Sequence, residues 1–180
     1  MIVFTVLIVK KFHFPFFYHD ETRLVIDYNR SLHHPKVFSE YSEHLDKAIK
    51  EKLRLRHKIY REKIHTFLSK KKLVCHLAIH SFTPVLNGIV RNADIGILYD
   101  SRLKKERELA LKMQSFLEMR GYRVRLNYPY HGKSDGLTTS LRKLFKKSYL
   151  GFEIEVNQSL SHPNEVALDL IECIKALKNQ

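Results

Sequence analysis

Three segments of the sequence combine an apolar run with side chains that could do chemistry. Asp27, Asn29 and Arg30 come at the end of the run RLVIDYNR, and His80 ends the run CHLAIH. The third run, GFEIEVNQ at 151–158, contains two glutamates. Functional groups of α/β proteins gather at the carboxyl ends of strands, so these segments are the first candidates for a site.

Asn29 and Arg30 offer a way to bind a carboxylate. The planar guanidinium of arginine matches a carboxylate with two parallel hydrogen bonds, and a neighbouring asparagine adds a directional donor. A surface ion pair or a turn is the alternative interpretation of this pair of residues.

His80 could bind a metal ion, act as a base or satisfy a buried hydrogen bond. His76 lies four residues earlier, and four residues of strand span roughly 13 Å, so the two rings cannot share one ion. Glu153 and Glu155 are two residues apart and face the same side of a strand. A carboxylate in an apolar strand is costly unless it is used or paired. One of them could serve as a general base, and structural ion pairs are the alternative.

The apolar periodicity predicts a set of strands and helices that would position these groups. The predicted strands are Arg23–Tyr28, Leu73–Ile79, Ile95–Tyr99, Arg123–Leu126 and Gly151–Val156, preceded by a buried strand over Ile2–Val9. The predicted helices are Ser39 to about Lys70, Leu103–Arg120 and Pro163–Lys178, with a short basic helix before Gly151. The polar segment Asn127–Arg142, with Tyr130, Asp135 and Thr138, is predicted to be a loop near a substrate pocket. Alternating strands and helices predict an α/β fold with a mixed, mostly parallel sheet and helices on both faces.

The composition is that of a globular protein, with 44% hydrophobic and 28% charged residues, and 180 residues suit a single domain over 1–180. The net charge of +13 favours anionic ligands. Cys75 and Cys173 lack the number and spacing of a disulfide framework, which favours reduced thiols and a cytoplasmic location. The run Ile2–Val9 is too short to span a membrane, and we expect no membrane association.

Four strings in the chain, taken in this order, resemble the N-formylglutamate amidohydrolase family. They are TRLVIDYNRSLHHPKVFSE, HSFTPVLNGIVRNADIGILYD, NYPYHGKSDGLTTSLRK and GFEIEVNQ, and they extend over most of the chain from about Phe14. The family is itself similar to zinc carboxypeptidases and aspartoacylases, so the resemblance implies a fold like theirs.

The resemblance implies a role for each candidate residue. His80 would be a zinc ligand, and Asn29 and Arg30 would bind the substrate carboxylate, with Arg23 a further candidate for the same pocket. Glu155 would be the general base, with Glu153 as the alternative. The implied reaction is zinc-dependent hydrolysis of the amide bond of N-formylglutamate or a related small anionic N-acyl amino acid.

The family pattern also includes a segment before RLVIDYNR that supplies further metal ligands. The sequence has no such segment, so we expect an amino-terminally truncated member of the family. The segment HPNE at 162–165 has a metal-binding spacing, but Pro163 and Glu165 indicate the first turn of the last helix. The alternative functions are a non-catalytic fragment and a basic nucleic-acid-binding module, although no nucleic-acid-binding signature appears and we expect no nucleic acid partner.

Overall fold

The computed structural model describes residues 15–178, which form two compact units. The sheet unit contains residues 15–16, 75–133 and 150–178, and the helical unit contains residues 17–74 and 134–149. The predicted strand over Ile2–Val9 lies outside the described residues. The prediction of one domain over 1–180 stays a prediction.

Within residues 15–178, the two units are built from four α-helices and six strands. The helices are α1 (Lys47–Leu68), α2 (Lys104–Glu118), α3 (Leu137–Phe145) and α4 (Pro163–Lys178), and two 3₁₀ turns cover Glu40–Ser42 and Lys146–Ser148. The strands are β1 (Val74–Phe82), β2 (Val85–Leu86), β3 (Ile89–Val90), β4 (Ile95–Leu98), β5 (Val124–Leu126) and β6 (Tyr149–Asn157).

The main sheet has the strand order β1-β6-β4-β5, and a separate hairpin is formed by β2 and β3. Strand β4 is parallel to β5 and antiparallel to β6. The N–H of Gln158 donates to the carbonyl of Phe82 (3.0 Å), which brings the carboxyl ends of β6 and β1 together, so these two strands are parallel. The sheet is therefore mixed and mostly parallel, and with its flanking helices it confirms the predicted α/β fold.

One face of the sheet forms the core with helices α2 and α4. Ile95 and Ile97 of β4 pair with Val156 and Ile154 of β6, and all four lie in this apolar cluster. The helices add buried side chains on the same face: Ala110, Met113 and Leu117 from α2, and Val166, Ala167, Leu170, Ile171 and Cys173 from α4. Since successive strand residues point to opposite faces, the intervening residues point away from this core.

A buried carboxylate ties three parts of the sheet unit together. Glu106 of α2 is fully buried, and its Oε2 and Oε1 accept hydrogen bonds from the N–H groups of Asp100 and Gly151 (both 2.8 Å). Each carboxylate oxygen thus accepts one backbone hydrogen bond, which offsets the free-energy cost of burying the group. The start of β6 and the segment after β4 are thereby fixed to α2.

The helical unit has two apolar clusters along α1. Leu53 packs with Ile26, Tyr28, Val37 and Phe38 of the preceding segment. Ile64 and Leu68 pack with Leu137 and Leu141 of α3 and with Tyr149. The helix begins at Lys47 and not at the predicted Ser39, because Ser39 caps a separate 3₁₀ turn. The Ser39 side chain accepts a hydrogen bond from the N–H of Tyr41 in that turn.

Two sequence-based expectations are wrong. Residues 23–28 form turns, since the N–H groups of Val25 and Ile26 both donate to the carbonyl of Thr22. The alternating burial of Ile26 and Tyr28 resembles a strand pattern, although no neighbouring strand pairs with it among the described residues. The second error concerns Asn127–Arg142, because a helix begins within the predicted loop at Leu137.

The other predicted elements are present with shifted ends. Strands β1, β4, β5 and β6 correspond to the four predicted runs after residue 70, and α2 and α4 correspond to the last two predicted helices. The segment at 162–165 forms the start of α4, as Pro163 and Glu165 indicated. None of the helices formed by residues 15–178 has the length and apolar character needed to cross a membrane.

Candidate active site

His80, Glu153 and Glu155 lie on the sheet face that points away from the α2–α4 core. Glu155 pairs with Gly96 and Glu153 with Leu98, in alternation with the core residues of both strands. In β1, Leu77 and Ile79 contact the core, which directs His80 to the opposite face. The two glutamates are buried, at 8% and 5% relative exposure. The sheet thus separates a polar face from the apolar face that holds it together.

His80 and Glu153 are the pair that the sheet brings closest. The Nε2 atom of His80 lies 3.8 Å from Oε2 of Glu153, and the His80 side chain is 28% exposed to solvent. This separation is too long for a hydrogen bond. It is close to the roughly 3.3 Å between two ligand atoms of one tetrahedral zinc ion. The pair therefore forms a two-donor set of imidazole and carboxylate.

The backbone at Tyr128 passes closely over Gly96 of the sheet, beside Glu155. We call this close approach the backbone crossing. A Cβ atom added at Gly96 would lie 1.9 Å from the carbonyl oxygen of Tyr128 and 3.3 Å from the Cβ of Glu155. Only glycine leaves room for the Tyr128 backbone at this point. The side chain of Asn127 fixes the crossing, since its Oδ1 accepts from the N–H groups of Tyr99 (3.2 Å) and Gly132 (2.9 Å).

In the helical unit, Asp27 organises the predicted carboxylate-binding residues. Its Oδ1 accepts from the N–H of Asn29 (3.0 Å), and its Oδ2 lies 3.4 Å from Nε of Arg30 and 3.3 Å from Nη2 of Arg23. Arg30 is held on its other side by His34, whose Nε2 accepts from Nη1 (2.8 Å). The Arg23 side chain is 64% exposed and that of Arg30 only 30%, so Arg30 is the more firmly held cation.

Helix α3 and the turn before it hold Asn29 and Ser31. The Oδ1 atom of Asn29 accepts from the N–H of Leu137, the first residue of α3 (2.8 Å). Oδ2 of Asp135 accepts from the N–H (2.9 Å) and hydroxyl (3.0 Å) of Ser31. Burial alone would raise the pKa of Asp135, but these hydrogen bonds and the nearby charge of Arg61 lower it below its usual value.

Sequence reasoning missed His57 and Arg61 of α1, and it missed Gly96. Both α1 side chains contact the backbone of the Asn29–Arg30 segment, with Arg61 Nη2 lying 2.7 Å from the carbonyl oxygen of Asn29. The signal for His57 was its place on the apolar stripe of α1, one turn after Leu53. The signal for Gly96 was a glycine inside a strand, which marks a close backbone approach.

A zinc ion would need more ligands than His80 and Glu153 supply. Catalytic zinc sites commonly use three protein ligands and leave one position open. Within residues 15–178, no group of three or more histidine, cysteine, aspartate or glutamate side chains is placed to hold a metal ion. His80 and Glu153 alone therefore do not make a complete zinc site.

Comparison with known proteins identifies the family. The family model described as N-formylglutamate amidohydrolase matches residues 7–161. The chain belongs to the N-formylglutamate amidohydrolase family. The match confirms the resemblance predicted from the four sequence strings. A search of curated proteins gave no significant match.

Solved structures of other proteins resemble the chain. A gene product of Agrobacterium tumefaciens is 26% identical with a TM-score of 0.78, and the alignment covers 99% of this chain and 76% of that one. An N-formylglutamate amidohydrolase from Ralstonia eutropha JMP134 is 16% identical with a TM-score of 0.61, and the alignment covers 86% and 72% of the two chains. At 16% identity the second likeness shows the fold alone.

The structure therefore groups the predicted site residues in two sets. His80 and Glu153 are neighbours on the polar face of the sheet unit, and Glu155 shares that face. Asn29, Arg30 and Arg23 surround Asp27 in the helical unit. Their roles in a reaction stay predictions.

Proposed function

We propose that the chain hydrolyses the amide bond of N-formylglutamate or a closely related N-acyl acidic amino acid. Membership of the N-formylglutamate amidohydrolase family carries this proposal. In the reaction, the C–N bond of the formamide breaks and a water oxygen bonds to the formyl carbon. The products are formate and the free amino acid, so no oxidant or co-substrate other than water is needed.

The buried carboxylates on the polar sheet face supply the proton transfers. Glu155 takes a proton from the attacking water and passes it to the leaving nitrogen, and Glu153 is the alternative base. The low exposure of both groups, at 5% and 8%, supports this role, because a base shielded from water transfers protons more effectively to a bound reactant.

Asn29 and Arg30 bind the substrate carboxylate. Asp27 and His34 hold the Arg30 guanidinium in place from two sides, which supports a fixed geometry for carboxylate recognition. Arg23 is more exposed and contributes long-range attraction to the same anion.

Zinc is the proposed cofactor, with His80 as one ligand. When bound, zinc would polarise the amide carbonyl and lower the pKa of a water molecule. The His80–Glu153 pair supports this proposal, although the described residues lack a third ligand. Elemental analysis should find about one zinc ion per purified chain and much less in His80→Ala. A metal-free wild-type chain that still hydrolyses substrate would rule zinc out.

A substrate panel tests the activity itself. Purified wild-type protein is incubated with N-formyl-L-glutamate, N-acetyl-L-glutamate and N-formyl-L-glutamine, and released formate or acetate and free amine are measured. We expect the highest kcat/KM with N-formyl-L-glutamate. Absence of turnover with every member of the panel, in protein shown to be folded and supplied with zinc, would refute the proposed function.

A further inference from the structure

His57 and Arg61 stand one turn apart on α1 and contact the backbone of residues 28–30. Nη2 of Arg61 lies 2.7 Å from the carbonyl oxygen of Asn29, 2.9 Å from that of Arg30 and 3.4 Å from that of Tyr28. Nε2 of His57 lies 2.9 Å from the same Arg30 oxygen. A carbonyl oxygen only accepts, so Nε2 of His57 carries the proton.

Burying the side chains of His57 and Arg61 costs free energy. His57 is fully buried, and burial lowers its pKa. Burial also lowers the pKa of Arg61, against the opposing effect of Asp135. Nδ1 of His57 and Nε of Arg61 are buried and have no hydrogen-bond partner among the described residues. Leu53 and Ile64 supply apolar packing on the same helix, so packing alone does not require a histidine and an arginine.

Arg61 also connects the segment to α3. Its Nη1 donates to the hydroxyl of Ser140 (3.2 Å), which in turn donates to the carbonyl of Gly136 (3.0 Å). The next N–H, that of Leu137, donates to Oδ1 of Asn29. Because Oδ1 faces α3, the Nδ2 donor of the same carboxamide is directed the other way. The backbone and the side chain of Asn29 are thus both fixed.

We propose that Arg61 and His57 are positioning residues for the Asn29–Arg30 carboxylate-binding pair. This inference rests on the proposed function, because it assigns the two residues to the binding of that substrate's carboxylate. Arg61 holds three successive carbonyl oxygens, so the chain at Asn29 and Arg30 keeps one conformation before the substrate arrives. Pre-organisation of this kind lowers the cost of binding the anion.

The test measures kcat and KM for Arg61→Met, Arg61→Lys and the wild type. N-formyl-L-glutamate is compared with an analogue in which the recognised carboxylate is an amide. We expect KM for the acid to rise about tenfold or more in Arg61→Met with kcat changed less than about threefold, since uniform binding is lost. Arg61→Lys should be intermediate, because an ammonium reaches fewer of the carbonyls. Lys58→Met, an exposed change on the same helix, should match the wild type.

The acid-to-amide preference separates positioning from a general structural role. A merely structural defect reduces the amount of active enzyme and lowers kcat for both substrates equally, whereas the proposal requires the preference for the acid to shrink. An unchanged KM or an unchanged preference in Arg61→Met would overturn it. If Arg61→Met does not fold by circular dichroism, His57→Leu and His57→Gln replace it. The Gln amide can still donate to the Arg30 carbonyl, so His57→Gln should keep KM near the wild-type value while His57→Leu raises it. Equal KM values for His57→Leu and His57→Gln would overturn the proposal.

Binding measurements keep this proposal distinct from the proposed function. Calorimetric titration of N-formyl-L-glutamate into each variant needs no turnover. A wild-type chain that binds the acid without hydrolysing it, with binding weakened at least tenfold in Arg61→Met, would refute the hydrolase function and support the positioning role. A wild-type chain that neither binds nor hydrolyses the acid would overturn both.

Discussion

Glu153 and Glu155 share a strand face but have different surroundings. The carboxylate of Glu153 lies beside the imidazole of His80, whereas Glu155 lies beside Gly96 under the Tyr128 backbone. If His80 binds the proposed zinc ion, a carboxylate beside it could bind the same ion or orient the imidazole. The two surroundings differ, and in the proposed reaction Glu155 is the base while Glu153 lies beside His80.

The first prediction concerns the base. Glu155→Gln should lower kcat for N-formyl-L-glutamate by about 10²- to 10⁴-fold, because the isosteric amide cannot accept the proton of water. Formate release in a steady-state assay measures this, and Glu108→Gln on the exposed side of α2 is the matched control. A full loss in Glu153→Gln with normal turnover in Glu155→Gln would transfer the role to Glu153.

The second prediction concerns the carboxylate-binding residues. Arg30→Met should raise KM for N-formyl-L-glutamate roughly 10- to 100-fold, since hydrogen bonds to charged groups contribute about 1.5–3 kcal/mol. Arg23→Met should change KM less than about fivefold, because exposed charges contribute about 1 kcal/mol or less. Steady-state kinetics of the two variants decides the matter. Equal effects would mean that Arg23, although 64% exposed, shares the direct contact.

At the scale of single residues, sequence reasoning identified the candidate side chains but not the residues that contact them. His80, Arg30 and the glutamates stand out because their types are unusual in or after apolar runs. Arg61 and His57 do not stand out, since α1 carries many basic residues and only their contacts distinguish them. Those contacts join positions about 30 residues apart, which local periodicity does not encode.

At the scale of the element, β6 divides its side chains between two faces. Phe152, Ile154 and Val156 contact the α2–α4 core, while Glu153 and Glu155 lie on the polar face. The strand therefore contributes to stability and to the candidate site with alternate residues. Sequence alternation predicted the shared face of the two glutamates correctly, because a strand's period of two is fixed by the backbone.

A substitution scan of β6 should show this period. Phe152→Ala and Ile154→Ala should each reduce the free energy of unfolding by about 2–5 kcal/mol, because they leave cavities in the core. Glu153→Gln and Glu155→Gln should reduce it less, since they keep side-chain volume. Urea denaturation followed by circular dichroism measures all four. A uniform loss along the strand would contradict the separation of the two faces.

The segments at 23–28 and 137–145 show where local pattern is insufficient. Ile26 and Tyr28 alternate as in a strand, but the N–H of Ile26 donates to the carbonyl of Thr22 within a turn. The N–H of Asp27, between them, donates to the carbonyl of Val37. Turn formers such as Gly132, Ser134 and Gly136 concealed the start of α3, which Leu137 and Leu141 stabilise by packing on α1. In both segments tertiary contacts decide the backbone conformation.

At the scale of the whole molecule, the positive charge is unevenly divided. The helical unit, residues 17–74 and 134–149, holds 18 lysines and arginines against 9 acidic residues, which is most of the net charge of +13. The unit that carries Asn29 and Arg30 is thus the one that attracts anions most strongly. The net charge of the sequence predicts a preference for anions but does not show which part of the chain carries most of the charge.

The stability of the protein should depend on pH through His57. Burial lowers its folded-state pKa, so the unfolded chain takes up the proton first as the pH falls. His57 therefore contributes stability that is fully present above the ordinary histidine pKa of about 6.5 and is lost as the pH falls toward the lowered value, at up to about 1.4 kcal/mol per pH unit. Urea unfolding of the wild type and His57→Gln at pH 8, 7, 6 and 5 measures it.

Subtraction of the two unfolding curves isolates this contribution. The charged and ionisable groups near His57, including Arg61, His19 and Asp27, are the same in both proteins, so their effects largely cancel in the difference. We expect the wild-type advantage over His57→Gln to be constant above pH 7 and to shrink below it. His44→Gln, at an exposed position, should show no such trend. A difference that is independent of pH would mean that His57 is not buried as a neutral ring.

Gly96 places a requirement on the chain that is separate from catalysis. The Tyr128 carbonyl occupies the space that any larger side chain would need, so the glycine serves the path of the backbone and not the reaction. A related protein without counterparts of His80, Glu153 and Glu155 would still need glycine there, as long as the Tyr128 backbone takes the same path. The residue at this position therefore reports whether a distant relative shares the architecture, while the residue at the position of Glu155 reports whether that relative keeps the proposed general base.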